Sequence, residues 1–372
     1  MVRAAMALAM TACTASLPAA AIPDRFKDAD DGALDLSDYL LRHRGVLPVP
    51  IVITEPAVGY GGGLGLMYFS QSFADSAEAA RARGERVQPP DIAAAVGMKT
   101  ENGTWAAGFG YLGFFDQDRW RYRGLFGTSQ LFLDYYSVRG DPRAYRLDAD
   151  ATAQLLLRRI GDSHWFGGMS YLYFSSESRF GASVPDDVPA RSLDSAIGKL
   201  GLVVDYDSRD NIFTPNRGTF FEMDAGFARG TFGSKSNFEM LNARAFSWHP
   251  AGDFVLGARG DARLSTGDVP FYAQPYISLR GVPAARYQDR NALVVEFEAR
   301  WNIDSRWALV GFAGAGKAYG KRQTWDESDT VVAGGAGFRY LVARKLNLYA
   351  GVDVARGPEE AAVYFTFGSA WR

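Results

Sequence analysis

From Gly59 to the C-terminus the chain alternates apolar and polar residues with a period of two. The alternation comes in segments of about ten residues, separated by turn residues, which is the pattern of strands in a membrane β-barrel. In Leu293 to Ile303, Glu296, Glu298 and Arg300 share one face, and Val295, Phe297 and Trp301 share the other. In 254–266, Arg259, Asp261 and Arg263 oppose Ala258, Gly260, Ala262 and Leu264. In 218–229, Glu222 and Asp224 oppose Phe221, Met223 and Phe227, and in 346–355, Leu348, Ala350 and Val352 oppose Tyr349 and Asp353. Such a wall separates water from hydrocarbon. A slip of one residue would turn every charge outward. An arginine at the lipid midplane costs roughly 2–4 kcal/mol, so the register is strongly specified.

Fifteen such segments lie between Gly59 and Trp371. A single-chain bacterial barrel has an even count, with both ends on the periplasmic side. Trp120–Tyr136 is long enough to hold two strands about a turn at Gly127-Thr128-Ser129-Gln130, which brings the expected number to sixteen. Counting back from the C-terminus, Pro250 to Asp253, Asp304 to Arg306 and Arg344-Lys345 become periplasmic turns. Residues 70–91, 177–196, 268–292 and 320–330 become extracellular loops. The fold class is therefore all-β, a transmembrane antiparallel barrel. The alternative is a soluble β-sandwich, which would not keep this regularity over some 300 residues.

Composition agrees. Aromatics are 14% and glycines number 41, both suited to a lipid-facing β wall, while no segment after the N-terminal leader reaches the roughly 18 apolar residues of a spanning helix. A net charge of −2 leaves no basic footprint, so nucleic acid is not an expected partner. Residues 1–21 read as a signal peptide: Arg3, an apolar run, then Ala19-Ala20-Ala21. Cys13, the only cysteine, lies within it, so neither disulfides nor cysteine metal sites are expected after processing. Residues 22–56 read as a solvated periplasmic arm, and 57–372 as the barrel. Asp28, Asp30, Asp31 and Gly32 miss the register of a calcium loop. His43, His164 and His249 are scattered, and no hydrolase or zinc-protease motif occurs. No metal, cofactor or enzymatic activity is expected.

The most informative stretch is Leu279-Arg280-Gly281-Val282, inside the long polar loop before Leu293. If that loop folds inward, Arg280 meets the inward carboxylates Glu296 and Glu298. A second stretch runs Asp205-Tyr206-Asp207-Ser208-Arg209-Asp210, then Pro215 and Gly218. It reads as a tight turn in which aspartates cap amides, Pro215 sets φ, and Gly218 starts the next strand.

With these residues the chain resembles the BamA/TamA-type surface-antigen barrels of the outer membrane. It keeps the Arg-Gly of their loop motif but changes both flanks. It also keeps the Asp-x-Arg-Asp turn with Pro-x-x-Gly. Gly311-Phe312-Ala313-Gly314-Ala315-Gly316 resembles a family strand whose aspartate faces the loop arginine, but Gly314 stands in that place here. The resemblance implies outer-membrane localisation, protein insertion or translocation, lipid and unfolded outer-membrane proteins as partners, and a monomer. About 35 residues precede the first expected strand, so a barrel without POTRA domains is expected. Gly59, Gly61, Gly62, Gly63 and Gly65 would make a weak seam strand, or else serve tight curvature. Phe365, Phe367 and Trp371 on the last strand resemble the C-terminal signal of outer-membrane proteins. A passive pore or solute transporter is the alternative function.

Overall fold

The computed structural model describes residues 23–83, 89–137, 142–181 and 183–371. The expected signal peptide lies outside them. One sheet of sixteen strands runs in chain order, each strand antiparallel to the next. The strands are β1 Gly45–Ile53, β2 Gly61–Phe69, β3 Ile92–Thr100, β4 Trp105–Phe115, β5 Trp120–Tyr136, β6 Pro142–Arg159, β7 Trp165–Phe180, β8 Asp194–Asp207, β9 Gly218–Ala228, β10 Phe238–Ala251, β11 Phe254–Gly267, β12 Asn291–Asn302, β13 Trp307–Tyr319, β14 Val331–Ala343, β15 Leu348–Arg356 and β16 Ala361–Phe367. The sheet curls into a transmembrane barrel. Among the described residues no ladder joins β1 to β16, so one seam stays unzipped.

The fifteen segments read from alternation are β2 to β16. Three expectations are corrected. Trp120–Tyr136 is one strand: Gly127 pairs with Gly108 and Ala151, and Gln130 with Trp105 and Asp148, so two complete ladders override the turn-like composition. The sixteenth strand is instead Gly45–Ile53, inside the stretch read as the arm. Pro48 and Pro50 argue against a central strand, but an edge strand tolerates them. Moving the extra strand to the front reverses the side of the early connections. Residues 70–91, with helix α2 (Phe73–Arg83), therefore lie at the same end as both termini, not among the long loops. That end, with its short turns, is called the turn end; outer-membrane barrels keep it in the periplasm.

The faces follow the alternation. On β12, Phe297 is 64% exposed toward lipid, while its neighbour Glu296 is 1% exposed in the bore. Trp165, Trp301 and Trp307 face outward at the turn end, where an aromatic girdle meets the membrane interface. Strands β5, β6 and β7 have 17, 18 and 16 residues. About 9–11 suffice to cross the bilayer, so their far ends project beyond it.

The arm is docked rather than solvated. Arg306, in the β12–β13 turn, donates to Asp28, Asp31 and Asp35, each at 2.7 Å. Arg344, after β14, donates to Asp28 at 2.9 Å. The Leu36 amide donates to the Val342 carbonyl at 2.7 Å, and the Tyr340 hydroxyl to the Leu34 carbonyl at 2.9 Å. Helix α1 (Ser37–Arg42) then packs on α2. A chain of ring contacts runs from Phe26 through Tyr39, His43 and Phe69 to Phe73. The arm thus ties the last strands to the first ones beneath the seam.

The Arg306 guanidinium and the Ala33 amide hold the Asp31 carboxyl at about 2, below the ordinary 3.8. A carboxyl depressed on docking contributes above its undocked value and loses that contribution as pH falls through its docked value. The anisotropy of a fluorophore on Asp24→Cys is therefore expected to stay constant from pH 7 to about 4 and to fall toward pH 2. Arg306→Gln should lower it throughout. Anisotropy indifferent to both would rule out the ionic latch.

Candidate functional site

The connection between β11 and β12, residues 268–290, is polar at its ends but carries apolar groups along its middle. Phe271 is buried against Tyr135 and Tyr145 of β5 and β6. Ile277, Leu279 and Val282 are buried against Val294, Val331 and Ala333 of β12 and β14. Two apolar anchors on opposite walls string the loop across the bore. Gly281 lets it turn, with φ at +88°; a β-carbon there would lie 2.9 Å from the Arg356 carbonyl carbon and the Gly357 nitrogen.

Within the second anchor, between Leu279 and Val282, Arg280 reaches three carboxylates from two strands. Its Nε donates to Glu296 Oε1 at 2.8 Å, Nη2 to Glu298 Oε2 at 2.8 Å, and Nη1 to Asp353 Oδ2 at 2.9 Å. Its guanidinium sits 3.5 Å over the Phe312 ring. Asp353, fully buried, also accepts from Arg339 Nη2 at 2.9 Å. Glu296 Oε2 accepts from Arg259 Nη1 at 3.2 Å and from Trp371 Nε1 at 3.0 Å. Arg259 in turn donates to Asp261 and, at 3.2 Å, to the Ser278 carbonyl of the loop. Three guanidinia and four carboxylates thus form one buried network. Each ion carries a desolvation penalty of several kcal/mol, which only this mutual pairing offsets.

Both acceptors named from the sequence, Glu296 and Glu298, hold Arg280. Asp353 is the one not assigned. Its place on the polar face of β15 was visible, but strand pairing from β12 through to β15 was needed to bring it near. Gly314 has no room for an aspartate: a β-carbon there would lie 2.7 Å from the Val295 carbonyl oxygen and 2.8 Å from Leu279 Cδ2. Asp353 supplies the third carboxylate from two strands farther on.

The loop also touches both sides of the seam. The Gly281 amide donates to the Tyr364 hydroxyl of β16 at 3.0 Å, and the Ala284 amide to Glu55 Oε1, just after β1, at 3.0 Å.

Other expected positions fall as follows. Gly61, Gly63 and Gly65 lie on β2, facing the bore, with Gly62 between them and Gly59 in the turn before. The open edge belongs to β1, one strand away. A β-carbon on Gly61 or Gly63 would come within 2.3 or 2.4 Å of a β3 carbonyl oxygen, so close approach of β2 and β3 accounts for both. Phe365 and Phe367 face lipid, 51% and 55% exposed, but Trp371 does not share their face. At Gly368 the backbone turns left-handed, with φ at +80°. Trp371, 3% exposed, stacks on Phe246 and packs tilted against Trp248 inside the bore.

The Asp207–Gly218 stretch is a wide connection, not a tight reversal. Asp207 chelates Arg209 through Nε and Nη2, both 2.8 Å, and Asp210 accepts the Asn216 and Arg217 amides at 3.0 and 3.2 Å. Pro215 is fully buried. Gly218 has φ at +107°, and a β-carbon there would lie 2.4 Å from the Ser208 carbonyl oxygen. Asn211 reaches across to the Leu346 carbonyl at 2.9 Å, and the Phe213 carbonyl accepts the Ser369 amide at 2.6 Å. The stretch crosses under the bore to the β14–β15 turn and the C-terminal tail.

No protein-family model matches the sequence, and no curated protein matches it. Solved structures do share the fold. A Haemophilus ducreyi BamA lacking POTRA domains 1–3 superposes with a TM-score of 0.58 at 10% identity, over 87% of this chain and 70% of that one. CdiB from Escherichia coli gives 0.59 at 13% identity, over 86% of this chain and 61% of that one. CdiB from Acinetobacter baumannii gives 0.56 at 13%, over 87% and 59%. The chain thus has the BamA and CdiB barrel fold and spans about three fifths of the CdiB chains.

Asp353→Ala would leave Arg280 and Arg339 buried with too few carboxylates. It is expected to destabilise the barrel by about 3–5 kcal/mol, read from the urea midpoint in detergent. Arg280→Lys should recover only part of the wild-type stability, because an ammonium cannot span three acceptors in one plane. Equal midpoints for all three proteins would contradict the network.

Proposed function

We propose that this chain is an Omp85-type barrel of the outer membrane, of the BamA/TamA kind, and that it inserts or translocates other proteins there. The observation that carries this reading is the seam. Among the described residues a sheet of sixteen strands is left unladdered between β1 and β16, and a loop locked by Arg280 is tied to both edges. In hydrocarbon, unpaired backbone groups cost several kcal/mol each. An edge left open therefore favours acceptance of another strand. The barrel likeness to BamA and CdiB supports the same reading.

In this scheme Arg280 and Gly281 hold the loop, and Glu296, Glu298 and Asp353 receive it. The Asp207–Gly218 connection and the docked arm close the turn end. Phe365 and Phe367 are the signal by which the chain itself is assembled, while Trp371 works inside. The clients are unfolded outer-membrane proteins, and the barrel acts as a monomer in lipid.

The test joins the two edges. Val52→Cys on β1 and Val363→Cys on β16 are linked by a reducible bifunctional maleimide, in a chain whose only native cysteine is Cys13 of the expected leader. Assembly of an unfolded outer-membrane barrel protein into vesicles containing the linked protein is then scored by gel shift. Linking should stop assembly, and reduction should restore it. Full assembly by the linked protein would sink the proposal.

A further inference from the structure

The two edges of the seam are not chemically alike. In an antiparallel ladder alternate residues exchange hydrogen bonds with one neighbour, and the rest face the other way. β1 pairs with β2 without interruption from Gly45 to Ile53. Pro48 and Pro50 have no N–H to give. An unbroken ladder is possible only if Leu47, Val49 and Ile51 make it, which turns the even residues toward the seam. The β1 edge therefore offers carbonyls at Val46, Pro48, Pro50 and Val52, but N–H groups at Val46 and Val52 alone.

On β16 the parity comes from Gly368, whose amide donates to the Tyr349 carbonyl at 2.7 Å and continues the β15 register. Ala362, Tyr364 and Thr366 hence face β15, and Val363 and Phe365 turn both N–H and C=O to the seam. The stretch 361–365 contains no proline.

We infer that β1 is a proline-blocked edge, and that a strand entering the seam pairs with β16. This rests on the function proposed above and assigns its landing strand. Natural sheets place proline on edges to stop unwanted pairing. Here it has two effects. It keeps β1 and β16 from zipping shut, and it leaves one edge with complete donors and acceptors over 361–365. The occupant is defined by the faces it must continue. β16 presents Val363 and Phe365 to lipid, and Ala362, Tyr364 and Thr366 to the bore. A paired strand must alternate apolar and polar residues in that phase, as the strands of an outer-membrane protein do. The five residues 361–365 give it about 17 Å to pair along.

Two measurements decide it. In the first, Pro48→Val with Pro50→Val restores both donors on β1. Hydrogen exchange of 361–365, followed by mass spectrometry in nanodiscs, should slow by roughly thirtyfold, the worth of two hydrogen bonds of ordinary net strength. Unchanged exchange in a variant that still folds, shown by its gel shift, would overturn the blocked edge. In the second, a synthetic ten-residue strand of alternating Leu and Thr with a photo-reactive group is irradiated with the wild-type barrel. Adducts should map to β16. Adducts on β1 would overturn the assignment. If adducts form on neither strand while the linked seam still blocks assembly, the landing strand is wrong and the proposed function stands. If linking leaves assembly intact, the proposed function has failed separately.

Discussion

A guanidinium in a membrane-enclosed bore must find its counter-charges inside the protein, and the placement of Arg280 depends on that constraint. Arg280 sits on a loop with little regular structure of its own. Three carboxylates on two strands, with the Phe312 face beneath, fix where the loop lies. Because Glu296 is shared with Arg259 and Trp371, and Asp353 with Arg339, the loop, the wall and the C-terminal tail are held by one network. Such a network specifies one arrangement more than it adds stability, since its desolvation cost is large.

The same network compensates for an incomplete sheet. A barrel normally removes its edges by closing, and among the described residues no backbone pairing closes this one. Its two edges are bridged elsewhere: in the bore by the loop, through Tyr364 and Glu55, and at the turn end by the arm, through Arg306 and Arg344. These ties are separate contacts, most of them to side chains, that can be broken singly, unlike a continuous ladder. The sheet can therefore be strong around most of its circumference and weak along one line.

Much of this was legible in the sequence because each strand faces two solvents. Period-two alternation with charges on one side located fifteen strands and placed Glu296 and Glu298 in the bore. What stayed hidden was non-local or masked by composition. Pro48 and Pro50 disguised β1, since proline signals an edge strand only when the edge is known. Gly127 to Gln130 read as a turn because two flanking ladders are invisible in one strand. The alternation marks Asp353 as polar but not as a partner of Arg280, a contact that spans 73 positions. Continuing the period through Gly368 groups Trp371 with Phe365 and Phe367, but the backbone turns left-handed there.

The central claim is that ion pairing to Arg280 keeps the loop in the bore. Single-channel conductance in planar bilayers tests it most directly, comparing the wild type with Arg280→Ala. The wild type should pass small, intermittent currents and the variant large, steady ones. A wild-type barrel that already conducts as widely as the variant would contradict it.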